Sequence, residues 1–179
     1  MAFVQIRSFA NMQLHWRDKS FEFQRYPPTQ NRSLRAVNAA DVLLLDYIEA
    51  KLEATQQGRG VSQIVLCHDR FGVLATCLAN YAPIFVTAFR SQEKALEKSL
   101  LLNGVSKGHI RLINPFADKF PPIDYALIKL PKSIDLLELY LTQVAQRATT
   151  ATEVVVGFMT RHFSPKLLEV ANRYAEVVV

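Results

Sequence analysis

VSQIVLCHDRFGVLATCLANYAPIFVTAF, residues 61–89, sets two short apolar runs on either side of an apolar segment that begins at a glycine. Val61–Cys67 reads as a strand, Gly72–Asn80 as a helix and Pro83–Phe89 as a second strand. Neither strand alternates polar with apolar residues, which marks strands buried on both faces. The pattern continues outward. Ser91 reads as the N-cap of a helix, with Lys94 at the third position leaving its capping box incomplete, and Asn103–Gly104 signals the C-cap. His109–Ile113, Tyr125–Leu130 and Glu153–Met159 read as further strands, separated by helices over Ser133–Arg147 and Lys166–Tyr174. Strands alternating with helices at this spacing predict an α/β domain with a doubly wound, mostly parallel sheet and right-handed crossovers.

Upstream, Phe21–Tyr26 alternates large apolar and polar residues, so it reads as a half-buried strand with Phe21 and Phe23 toward the core, ended by Pro27 and Pro28. Apolar residues then recur at helical spacing from Leu34 to Ala54, and Gly58 and Gly60 stop that helix. No repeat or flexible linker divides the chain. Residues 1–33 read as a basic arm carrying a strand, and residues 34–179 as the domain with which the arm forms one globule. Ala175–Val179 reads as the start of another strand, an apolar β-branched edge that leads us to expect a fragment of a longer protein.

Half of the 179 residues are apolar, 21% are charged, and glycine plus proline number only 14, which excludes disordered and collagen-like classes. No apolar run approaches the ~20 residues of a membrane span, and the start lacks a signal-peptide core, so a cytoplasmic protein without membrane contact is expected. Cys67 and Cys77 are the only thiols, too few for a disulfide framework or a zinc site, and read as small packed groups; no metal is expected. The net charge of +5 is concentrated early. Arg7, Arg17, Lys19, Arg25, Arg32 and Arg35 face only Asp18 and Glu22 within the first 35 residues, a bias suited to phosphates.

Ligands of a doubly wound sheet sit at the carboxyl ends of its strands. The loop after the first strand of the alternation, Cys67–His68–Asp69–Arg70–Phe71–Gly72, offers one glycine where a nucleotide-type cofactor needs bare backbone. Phe71 and Arg70 are expected to fill the cofactor's volume. The next strand ends at Thr87–Ala88–Phe89–Arg90 without the carboxylate that would accept a ribose's hydroxyl bonds, and Ile128–Lys129–Leu130–Pro131–Lys132 ends another without Asp or Asn. The cleft therefore reads as occluded, with no catalytic residue. His68 beside Asp69 reads as a polar loop pair rather than an oriented base.

Ile64–Ala79, Leu102–Asn103–Gly104, Ala117–Asp118 and Leu127–Lys132, together with Phe23–Pro27 and Asp69–Gly72, resemble in order and spacing a degenerate Rossmann-type methyltransferase domain. More specifically, they resemble the N-terminal domain of tandem-domain ribosomal RNA guanine-N2 methyltransferases, the large-subunit (23S) RlmG-like branch related to RsmC-like enzymes. The resemblance implies a non-catalytic domain that binds no cofactor and aids recognition of ribosomal RNA. It implies as partner a C-terminal methyltransferase domain of the same polypeptide, which binds S-adenosylmethionine and methylates a guanine exocyclic amine. By the same resemblance Lys129 stands where that family's catalytic Asn would be, Lys132 where its aromatic would be, Ala88 replaces the ribose carboxylate, and Gly72 survives from the cofactor loop.

Arg25, Tyr26, Arg32 and Arg35 combine charge with aromatic surface as single-stranded RNA sites do, and Lys129 and Lys132 flank the former target site. These six are the candidate RNA contacts. Two other readings stay open: a free-standing S-adenosylmethionine-dependent methyltransferase with an atypical loop, and a protein-interaction module.

Overall fold

The computed structural model describes residues 12–31, 34–55, 63–116 and 119–178. Its first elements are two antiparallel strands, β1 (Met12–Trp16) and β2 (Lys19–Phe23), followed by helix α1 (Ala39–Thr55). Then come β3 (Ile64–Cys67), α2 (Val73–Cys77), β4 (Ile84–Val86), α3 (Arg90–Leu102) and β5 (Arg111–Ile113). The chain continues through β6 (Tyr125–Lys129), α4 (Ile134–Ala145), β7 (Glu153–Gly157) and α5 (Pro165–Ala171). The last five strands form one parallel sheet in the order β5-β4-β3-β6-β7. The chain runs outward from β3 through β5, then returns to lay β6 on the other side of β3. That reversal opens a crevice at the carboxyl ends of the strands.

Side chains of the central strands alternate between two cores, as the strand period requires. Ile64, Leu66, Phe85 and Leu127 pack with Leu44, Leu45 and Ile48 of α1, with Leu74 and Leu96, and with Phe21 and Phe23 of the hairpin. Val65, Cys67, Val86 and Ile128 pack against Leu137, Tyr140 and Val144 of α4 and Val170 of α5. Helices thus cover both faces, which is the doubly wound α/β architecture expected, and both thiols are buried within it. Among the described residues no helix is long and apolar enough to cross a membrane.

Local chemistry sets the helix ends. Asn38 Oδ1 accepts from the Ala40 N–H (3.0 Å) while the Asp41 carboxylate accepts from the Asn38 N–H (2.9 Å), a capping box that starts α1. Gly104, at φ 62°, ends α3 with its N–H on the Leu101 carbonyl and the Val105 N–H on that of Leu100. Asn103 also grips the hairpin: its Oδ1 accepts from the Glu22 N–H (2.8 Å) and its Nδ2 donates to the Glu22 carbonyl (2.7 Å).

Several expectations are corrected. The N-terminal region contributes a hairpin, not one strand, and β2 ends at Phe23, short of Tyr26. The N-cap of α3 is Phe89 rather than Ser91, because Gln92 at the third helical position reaches back to the chain entering the helix. His109 lies in a 3-10 turn ahead of β5. Residues 176–178 form no strand; Val177 and Val178 lie instead along an apolar groove between α4, β7 and α5. Gly58 and Gly60 lie outside the described residues.

Candidate nucleic-acid interface

At the carboxyl ends of β3, β6 and β7 lies a cleft of about 510 Å³ whose lining includes Arg25, Arg35, His68, Arg70, Lys129 and Lys132. Phe158, Met159 and His162, on the chain leaving β7, form another wall, and among the described residues no Asp or Glu lines the cleft. Arg25 leaves the end of β2, donates from Nη1 to the Arg35 carbonyl (3.3 Å) and holds its guanidinium 4.9 Å from the centre of the Phe71 ring. Arg70 approaches the same ring at 5.6 Å. Partial burial and the nearby Arg70 charge lower the pKa of Arg25 from its ordinary value. Among the described residues, Arg25, Arg35, Arg70 and Lys132 have no carboxylate partner, whereas Arg17, Lys51, Lys94 and Arg173, among others, each pair with a glutamate.

Lys129 behaves differently. It is only 6% exposed and ion-pairs with Asp41, itself fully buried at the start of α1. Desolvating two charges in this way is tolerable only when they meet. The cleft floor is therefore locally neutralised and the unpaired charge lies around it. Asp69 is also fully buried; its carboxylate accepts from the Val73 and Ala75 N–H groups, both at 3.0 Å, satisfying the first turn of α2. Burial raises its pKa to about 6, against opposing pulls from Lys129 and these two bonds, while Asp41 adds to the rise. His68 moves the other way. Burial, then Arg70 and Lys129, lower its pKa to about 4, so the ring is neutral at pH 7.

On the β3–β4 side the crevice is packed. Phe71 is buried in the core, and the Phe71 carbonyl accepts from Ser99 Oγ at 2.7 Å. Gly72 has φ 71°, and a Cβ there would stand 2.9 Å from the Leu96 Cα. Its glycine is thus required by the left-handed backbone and by the close approach of α3. Gln92 Oε1 accepts from the Ala88 and Phe89 N–H groups (3.1 and 3.2 Å), and its Nε2 lies 3.5 Å from His68 Nδ1. Protein atoms therefore link the two loops that a Rossmann cofactor would separate, and Ala88 supplies no carboxylate. These residues give the β3–β4 end neither a bare-glycine loop nor a carboxylate at the end of β4.

The structure gathers Arg25, Arg35, Lys129 and Lys132 around one cleft. Two placements correct the sequence reading: Lys129 is buried in an ion pair instead of flanking an open mouth, and Arg70 lies exposed on the cleft rim instead of filling cofactor volume. Tyr26 is elsewhere, its ring 5.1 Å from Lys98 Nζ and packed on the core. Arg32, Ala117 and Asp118 lie outside the described residues. Sequence reasoning missed Arg70 as a cleft cation, the Asp41 partner, and Gln92. A glutamine at the third helical position was the available signal for the last.

Comparison with known proteins agrees with this architecture. A S-adenosylmethionine-dependent methyltransferase from Agrobacterium tumefaciens superposes with a TM-score of 0.67 at 14% identity, over 92% of this chain and 57% of that one. The precorrin-6y C5,15-methyltransferase of Geobacter metallireducens GS-15 gives 0.53 at 13% identity, over 72% and 70%. At these identities they establish the α/β methyltransferase fold alone. In sequence, the chain is 29% identical over 151 residues to the ribosomal RNA large subunit methyltransferase G of Pseudomonas fluorescens (strain Pf-5), covering 84% of this chain and 39% of the relative. The chain thus spans well under half of that relative's length. The model of the RLMG N-terminal domain matches residues 11–179, and the chain belongs to that family.

Proposed function

We propose that this chain is the non-catalytic, RNA-binding N-terminal domain of a large-subunit ribosomal RNA guanine-N2 methyltransferase. In this reading the parent enzyme transfers a methyl group from S-adenosylmethionine to a guanine exocyclic amine. The chemistry belongs to a C-terminal domain of the same cytoplasmic polypeptide. The target base must leave its helical stack to be reached, so a second domain that grips nearby RNA lowers the cost of presenting it. The observation that carries the reading is the contrast within the crevice. Its cofactor side is closed by Phe71 and Gln92, while on its other side Arg25, Arg35, Arg70 and Lys132 have no carboxylate partner among the described residues.

Calorimetry of the 179-residue chain tests it. No heat of binding is expected with S-adenosylmethionine. A fragment of large-subunit ribosomal RNA is expected to bind with an affinity that falls steeply with salt, log K dropping by roughly 0.7 per phosphate neutralised for each unit of log salt. Stoichiometric micromolar binding of the cofactor, or RNA affinity indifferent to salt, overturns the reading. The first outcome favours a free-standing methyltransferase and the second a protein-interaction module.

A further inference from the structure

Resting on that reading, we propose that the open cleft seats one unstacked nucleotide of a single RNA strand, its phosphate on Arg35, Arg70 and Lys132 and its base against Phe158 and Met159. Shape argues first. The volume of about 510 Å³ lies in the range of small-ligand pockets, and the cleft is a recess between loops. A helical stem offers a convex surface with its bases stacked inside, so only a splayed nucleotide can enter such a recess.

Charge argues next. Arg25 and Arg70 hold guanidiniums over one phenyl ring, with Arg35 and Lys132 nearby, and no carboxylate lies among the described lining residues. Like charges held together gain most from an anion with several acceptor oxygens, and planar guanidiniums match phosphate geometry. Because Lys129 is spent on Asp41, the available charge sits at the rim, where the backbone of a nucleotide with an inward base would run.

The wall on the chain leaving β7 suits a base. Phe158 and Met159, both half-buried, line the same cleft as His68 and give flat or polarisable surface, bordered by Arg161, whose Nη2 donates to Met159 Sδ at 3.6 Å. Stacking of this kind accepts any base, which fits a domain that orients a strand without reading it.

Fluorescence anisotropy of the full chain with a labelled six-nucleotide single strand, and with the same sequence in a duplex, tests the assignment. The single strand is expected to bind at least tenfold more tightly. Guanosine 5′-monophosphate is expected to displace it where guanosine does not. Lys132→Ala and Arg35→Ala, both at exposed positions, each weaken binding about tenfold. Arg147→Ala, an exposed cation just past α4 toward the opposite edge of the sheet, leaves it unchanged. Equal affinity for duplex and single strand, or unaltered binding by both cleft variants, overturns the nucleotide site while RNA binding by the chain still stands. Failure to bind any RNA overturns both.

Discussion

Along the carboxyl edge of the sheet, the β3–β4 side is closed by Phe71, Gln92 and the approach of Leu96 to Gly72, while the β6–β7 side opens into a recess with Arg25, Arg35, Arg70 and Lys132 around it. Both halves share one topology and one set of strand registers. The topology determines where a crevice forms, and the side chains in each half determine what can enter it. A second contrast lies inside the open half. Its floor buries Lys129 against Asp41, so charge there serves folding, and its rim leaves charge free for an anion.

The strongest way to break the floor–rim contrast is Lys129→Ala, which leaves Asp41 buried without a partner. We expect a loss of about 3–5 kcal/mol by urea denaturation, with much of it recovered by combining Lys129→Met with Asp41→Asn. A small loss in the single variant would mean that floor and rim do not differ.

Next in size is the pH response of the loop after β3. His68 is held near 4, below its unfolded value of roughly 6.5, so its contribution to stability grows as pH rises between these values and is lost on acidification. Asp69 is held near 6, above its unfolded value of roughly 3.9, so its contribution falls as pH rises through that window. The two slopes oppose each other between about pH 4 and 6. Relative to His68→Asn, the parent chain is expected to gain up to about 3 kcal/mol on going from pH 4 to 6.5. Parallel profiles would contradict this.

Gly72→Ala attacks the closed half. Positive φ and a Cβ 2.9 Å from the Leu96 Cα predict a loss of about 2 kcal/mol with no cofactor affinity gained. Smallest is the rim: Lys132→Ala is expected to shift stability by less than about 0.5 kcal/mol while weakening RNA binding. A large stability change there would return the rim to a structural role.

The parallel sheet was legible because its strands are unbroken apolar runs, and the C-cap at Asn103–Gly104 because its geometry demands those residue types. β1 was not, although Met12, Leu14 and Trp16 alternate with polar residues. Its turn to β2 uses Arg17 at φ 52° in place of the usual glycine or asparagine, which hid the hairpin signal. In the site, Arg25, Arg35 and Lys132 were legible as separate candidate cations, but their meeting around one cleft was not, because it depends on how the segment between β2 and α1 packs against the end of β6. Nor was the burial of Lys129, since Asp41 is distant in sequence and only the packing of α1 across the β6–β7 side brings it near. Arg70 was misplaced because a loop sequence says how bulky a side chain is, and not which way the turn throws it.

The grip of Asn103 on Glu22 has a bearing on association. A side-chain amide supplies that residue of β2 with both hydrogen bonds a neighbouring strand would give, tethering the hairpin to the end of α3. Arg25, just beyond β2, therefore reaches its station as the chain folds. Immobilising that stretch of backbone is settled before any anion arrives, so an incoming ligand forfeits less affinity to ordering it.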